Sequence, residues 1–148
     1  MRDAFRDVME FQAAAGREIP ERPGVAGVAG LQQMMNLITE EHDETRDAMR
    51  DAQIGVRDGR VVGLEDVAEI ADGLADLVWV CLAAAVQLGV DLPAVWGRVK
   101  AANMAKFGPG AWKDEHGKVR KPEGWTPPDV VGALAGQKPI AETYADGA

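Results

Sequence analysis

The residues Glu65-Asp66-Val67-Ala68-Glu69-Ile70-Ala71-Asp72-Gly73-Leu74-Ala75-Asp76-Leu77-Val78-Trp79-Val80 read as the body of a helix that starts near Leu64 and reaches about Leu88, closed by Gly89. Glu65, Glu69, Asp72 and Asp76 are spaced four, three and four residues apart, which sets them within about a 60° arc. The same stripe continues into Val80 and Ala83, with Trp79 beside it. Like charges this close destabilise an isolated helix by ~0.2–0.5 kcal/mol per pair. A stripe that is acidic at one end and apolar at the other points to a cavity inside a helical bundle.

A second helix, expected from about Leu31 to Gln53, carries Glu40, Glu41 and Glu44. Glu40 and Glu44 lie about 40° apart on the wheel, and Glu41 falls between Leu37 and Ile38. Met34, Thr45 and Ala48 surround the same direction, so Glu41 points toward the packed side. A carboxylate there is costly unless it is paired, protonated or bound to a cation. Two carboxylate clusters without histidine suit a hard divalent cation, Mg²⁺ or Mn²⁺, which prefers oxygen ligands. A di-iron bundle would want Glu-x-x-His pairs, whereas His42 directly follows Glu41 and His116 falls in a loop. The competing reading is that both acid runs are solvated helix faces.

Around these two helices the helical period dominates, with no convincing alternating strand and no internal repeat. A first helix is expected from about Asp3 to Ala15, ended by Gly16, and a loop from Arg17 to Gly30 holds Pro20, Pro23, Gly24 and Gly27. Gly55 to Gly63 reads as a hairpin turn or a plain connection. A fourth helix runs from about Leu92 to Phe107, with Pro93 in its first turn. Thr126 is placed to cap a short last helix from Pro127 to about Leu134. The expected fold is therefore all-α, a four-helix-bundle-like protomer over residues 1–135 with an extended C-terminal segment, and 136–148 as a flexible tail.

The chain has 148 residues and a formal net charge of -8, which argues against nucleic acid held by general electrostatics. The charge is unevenly placed. Residues 1–76 hold 17 acids and 8 bases, while 77–148 hold 7 acids and 8 bases. All six lysines lie from Lys100 onward, and from Arg98 to Lys121 there are seven bases against two acids. Lys100, Asn103 and Lys106 share one side of the fourth helix, and Lys113, Lys118, Arg120 and Lys121 follow on a glycine-containing segment. Such a segment can fold over an anionic ligand, with Trp112 and Trp125 stacking on a base or anchoring the segment. Plain surface solvation is the alternative.

One cysteine, Cys81, excludes an internal disulfide framework and a multi-cysteine zinc site. It reads as a small buried hydrophobe in the apolar run Leu77 to Val86. That run is ten residues long, short of the roughly 20 that span a bilayer. The N-terminal Met1-Arg2-Asp3-Ala4-Phe5-Arg6-Asp7 lacks the apolar core of a signal peptide. The expectation is a cytoplasmic protein with no membrane partner. Because the run is apolar around most of its circumference, burial in a homodimer or a dimer of dimers is expected.

Taken together, these segments resemble the MazG-like all-α nucleoside triphosphate pyrophosphatases. The family pattern is E-E-x-x-E followed by E-x-x-D on the next helix. Glu40-Glu41-His42-Asp43-Glu44 matches the first part, and Glu69-Ile70-Ala71-Asp72, continued by Gly73 to Val80, matches the second. Asn103-Met104-Ala105-Lys106 and Lys121-Pro122-Glu123-Gly124-Trp125-Thr126-Pro127-Pro128-Asp129 resemble a phosphoribosyl-ATP pyrophosphohydrolase-like branch, and the superfamily also has dUTPase-like members. If Asp76 takes the place of the final aspartate, the family glutamate falls on Gly73, and Asp72 or Glu69 must replace it.

The resemblance implies Mg²⁺-dependent hydrolysis of a nucleotide substrate, a (d)NTP such as dUTP, between the α- and β-phosphates. It implies Glu40, Glu41, Glu44, Glu69, Asp72 and Asp76 as the metal-ligand set, with Glu40 or Glu44 orienting or deprotonating the attacking water. Lys106 and Lys121 would neutralise the pyrophosphate, Asn103 would donate a hydrogen bond, and Trp125 would border the substrate. Phe11 and Gln12 are the candidates for the base pocket, against a reading as a core phenylalanine and a surface glutamine. Phosphoribosyl-ATP hydrolysis and a non-enzymatic helical interaction module are the alternatives.

Overall fold

The computed structural model describes residues 1–25 and 27–145. Its elements are α1 (Arg2–Ala14), α2 (Gly27–Arg57), α3 (Leu64–Gln87), α4 (Leu92–Met104), a 3-10 turn (Ala105–Phe107), β1 (Trp112–Lys113), β2 (Val119–Arg120), α5 (Val130–Ala135) and α6 (Ile140–Thr143). The all-α expectation with a C-terminal extension holds. The two short strands form an antiparallel pair, Trp112 opposite Arg120 and Lys113 opposite Val119, in a segment where no alternation announced a strand.

α2 and α3 form the spine, an antiparallel pair joined by the connection 58–63. The Gly63 N–H donates to the Asp66 carboxylate at 2.8 Å, and Arg60 pairs with Asp66 at 2.7 Å, so the first turn of α3 is held by a local clasp. Arg60 also lies across Gly55, where a Cβ would come within 2.6 Å of the guanidinium. Midway along, a Cβ on Gly73 would sit 2.8 Å from the Thr45 hydroxyl and 3.1 Å from its Cα. Gly73 is thus a point of close approach between the two acidic helices.

α1 buries Phe5, Val8, Met9 and Gln12, the one-sided stripe of an amphipathic helix, against α3. The core joins Phe5, Val8 and Met9 to Leu82, Ala83, Ala85 and Val86 of α3 and to Ile140 and Tyr144 of the C-terminal segment. Each large side chain fully buried there contributes about 1.5–3 kcal/mol. Part of the expected flexible tail is therefore packed: Ile140 is fully buried and the Tyr144 ring meets Phe5 edge-on at 5.3 Å. The apolar side chains at 140 and 144 are spaced one helical turn apart and cover the otherwise open end of the α1–α3 core. Residues 146–148 of that tail lie outside the described residues.

α4 leaves α3 at a bend of 116° and packs on α1 and α5. The Asp91 side chain caps α4 by accepting from Ala94 N at 3.0 Å. Tyr144 donates to that carboxylate at 2.9 Å, while Gln137 accepts from Asp91 N at 3.1 Å and donates to the Gly89 carbonyl at 2.7 Å. The C-terminal strap thus fixes the α3–α4 corner. α5 starts three residues later than Thr126 capping predicted, because the Asp129 carboxylate accepts from Gly132 N and is the actual cap. Cys81, expected buried, is exposed, since it lies on a face of α3 with Leu74 and Val78 that none of the described residues covers. Among the described residues no single helix is long and apolar enough to cross a membrane.

Candidate active site

The contact of Gly73 with Thr45 sets the register of the two acidic helices. Thr45 in turn donates its hydroxyl to the Glu41 carbonyl at 2.7 Å, one turn back along α2. Glu41 is half-buried, as its place between Leu37 and Ile38 predicts, while Glu40, Glu44, Glu69, Asp72 and Asp76 are exposed. Its carboxyl titrates above the usual carboxylate range, first because burial disfavours its charged form, then because Asp76, Glu44, Glu40 and Asp72 add negative charge around it. Five of the six predicted carboxylates therefore share one electrostatic neighbourhood. A side chain at position 73, where the family glutamate would fall if Asp76 is the final aspartate, would press on Thr45, 2.8 Å from its hydroxyl and 3.1 Å from its Cα.

Among the described residues, none of these carboxylates lies at ion-pair distance from an arginine, lysine or histidine. An all-oxygen cluster with excess negative charge and no protein counter-ion has the donor chemistry of a Mg²⁺ or Mn²⁺ site. As arranged here, no three Asp, Glu, His or Cys side chains among the described residues converge tightly enough to enclose an ion.

The predicted cationic residues form a second group. Lys106 donates to Asn103 Oδ1 at 2.6 Å, and the indole N–H of Trp125 donates to the Ala102 carbonyl at 2.7 Å. The Lys121 ammonium stands 4.1 Å from the Trp125 ring centre and that of Lys106 5.7 Å from it. The hairpin that delivers Lys121 is closed by Asp114, which accepts from His116 N and Lys118 N and pairs with Arg120. No extended packing joins α4 or this hairpin to α2.

At the base-pocket candidates, burial is the reverse of the competing reading. Gln12 is buried and its Oε1 accepts from Arg17 at 3.1 Å, whereas Phe11 is 53% exposed and meets Trp79 edge-on at 5.5 Å. Trp79 lies one turn beyond Asp76 on α3, so an accessible aromatic pair flanks the carboxylates. Sequence reading noted Trp79 only as a neighbour of the stripe. The Phe5-Val8-Met9-Gln12 spacing was the signal that places Gln12 inside and Phe11 outside.

An antiparallel helix pair carrying clustered carboxylates, with a lysine-rich segment in the same chain, has the groups that metal-assisted chemistry on phosphoric anhydrides uses. The family model for phosphoribosyl-ATP pyrophosphohydrolase matches residues 8–103, well over half of the chain. The chain belongs to that family, within the MazG-like all-α NTP pyrophosphatase superfamily, and is a pyrophosphohydrolase-type enzyme. A non-enzymatic helical module is not what the family comprises. Its members depend generally on a divalent metal. No curated protein matches the chain. The match takes in Phe11, Gln12, all six carboxylates and Asn103, and ends before Lys106, Lys121 and Trp125.

Proposed function

We propose that the protein hydrolyses a nucleoside triphosphate, with dUTP among the candidate substrates, to the nucleoside monophosphate and pyrophosphate. The observation that carries this reading is the carboxylate group around half-buried Glu41, built from both α2 and α3 and without a protein cation. In this reading Glu41, Glu44, Asp72 and Asp76 hold Mg²⁺ or Mn²⁺. The action of both Asp72 and Asp76 on Glu41 supports that pair in the E-x-x-D role. When bound, the cation offsets charge on the phosphates and positions them.

The chain's own groups do the rest. Glu40 or Glu44, exposed at the edge of the cluster, accepts the proton of the attacking water. Lys106 and Lys121 neutralise the departing pyrophosphate, with Asn103 holding Lys106 in place. Phe11 and Trp79 offer an aromatic surface to the base, and buried Gln12 is the neighbouring polar candidate on α1. A homodimer or dimer of dimers covers the open α2–α3 face, on which Met35, Met49, Leu74 and Val78 are exposed.

Phosphoribosyl-ATP hydrolysis is the second reading, favoured by the description of the matching family. Both are tested by incubating the protein with Mg²⁺ and a panel of nucleotides that includes phosphoribosyl-ATP, and following pyrophosphate release. Release from canonical or deoxyuridine nucleotides supports the first reading. Release from phosphoribosyl-ATP alone supports the second. Full activity in Glu41→Ala contradicts the site in either case.

A further inference from the structure

The group formed by Asn103, Lys106, Lys121 and Trp125 is ordered by its own contacts, three of its members lie beyond the segment that the family model covers, and Trp125 is its hub. The indole is tied to the α4 backbone through Ala102. A tight turn, in which Trp125 N–H donates to the Pro122 carbonyl at 3.2 Å and Gly124 takes φ 78°, folds Lys121 back onto the ring. That φ is open to glycine without strain. Lys106 arrives from the other side of the sequence and is restrained by Asn103. Two ammonium groups that would otherwise repel are thus held over one electron-rich ring, whose quadrupole attracts both.

We propose that Trp125 is a positioning residue that holds Lys106 and Lys121 as a preformed dicationic seat for a diphosphate group. An aromatic ring stores the two cations without neutralising them, as a carboxylate would, so their charge stays available to an arriving anion. Ordering two long side chains beforehand removes part of the entropy that binding would otherwise lose. With the ammonium groups of Lys121 and Lys106 drawn to its ring, the indole is assigned to the phosphate end of the substrate. The inference rests on the pyrophosphohydrolase reading for its biological setting, but the seat is testable without turnover.

The probe is inorganic pyrophosphate, titrated by calorimetry and by tryptophan fluorescence in chelator-containing buffer, so that bound metal makes no contribution. The wild-type chain is expected to bind it and to change its indole emission as the ammonium groups lean from ring to anion. Trp125→Leu should weaken binding about tenfold, and Trp125→Phe, which keeps a ring face but loses the N–H tether, should weaken it less. Lys121→Gln, which leaves the indole anchored, should weaken binding and reduce the emission change. Equal pyrophosphate affinity in a folded Trp125→Leu variant would overturn the proposal. So would Lys121→Gln with unaltered affinity and emission, which decides the matter if Trp125→Leu does not fold. Nucleotide hydrolysis without pyrophosphate binding would remove the seat and leave the enzymatic reading. Pyrophosphate binding without any hydrolysis would do the reverse.

Discussion

Gly73 shapes the site without contributing a functional group, because its missing side chain lets α3 approach Thr45 closely. Gly73→Ala forces the helices apart or strains Thr45, and overpacking of this kind costs about 1–3 kcal/mol. Chemical denaturation of the variant should show that loss, although alanine is the better helix former; no loss would mean the helices are not in contact there. Asp66 is a second residue whose environment is measurable. The Gly63 N–H, then Arg60, hold its carboxyl below the ordinary range. A lowered folded-state pKa adds stability that is present above the unfolded value, about 3.9, and lost as pH falls through the folded one. Asp66→Asn should therefore lower Tm at neutral pH and flatten the decline of Tm below about pH 4. Glu41 was legible in the sequence because the wheel sets it between two apolar residues. The burial of Gln12 was equally written in the α1 stripe, but its polarity suggested the surface.

Among the elements, α6 and the strap leading to it hold the α3–α4 corner through Gln137 and Tyr144. The Tyr144 hydroxyl titrates well above its ordinary value, chiefly through burial and then through its bond to Asp91. Tyr144→Phe removes that bond while keeping the ring on Phe5, and should cost about 1 kcal/mol by thermal or chemical unfolding. An unchanged stability would mean that the strap does not tie the corner. The four long helices were readable from periodicity to within a few residues. The strap was not, because a single turn around Ile140 has no period to detect, and its place is fixed only by the core it completes. The hairpin was equally hidden: two-residue strands have no alternation, and their register depends on Asp114 and the glycine turns around it.

At the scale of the molecule, the charge split seen along the chain divides the candidate residues between different elements. The acids collect on α2 and α3, and the lysines gather at the end of α4, with no extended packing between α2 and α4. The exposed face bearing Leu74, Val78 and Cys81 belongs to the same whole-molecule question. Its exposure could not be read from the apolar run, since periodicity says that a residue wants cover but not which chain supplies it. Light scattering should give a dimer or tetramer, and Val78→Glu should shift it toward monomer; a wild-type monomer at micromolar concentration would contradict the assembly. The central claim is that the carboxylates of α2 and α3 direct hydrolysis to the α–β anhydride. Phosphorus NMR of a nucleoside triphosphate turned over with Mg²⁺ measures this most directly. Nucleoside monophosphate and pyrophosphate are expected in equal amounts, with turnover lost in Glu41→Gln. Nucleoside diphosphate and orthophosphate as products, or turnover undiminished in that variant, would contradict it.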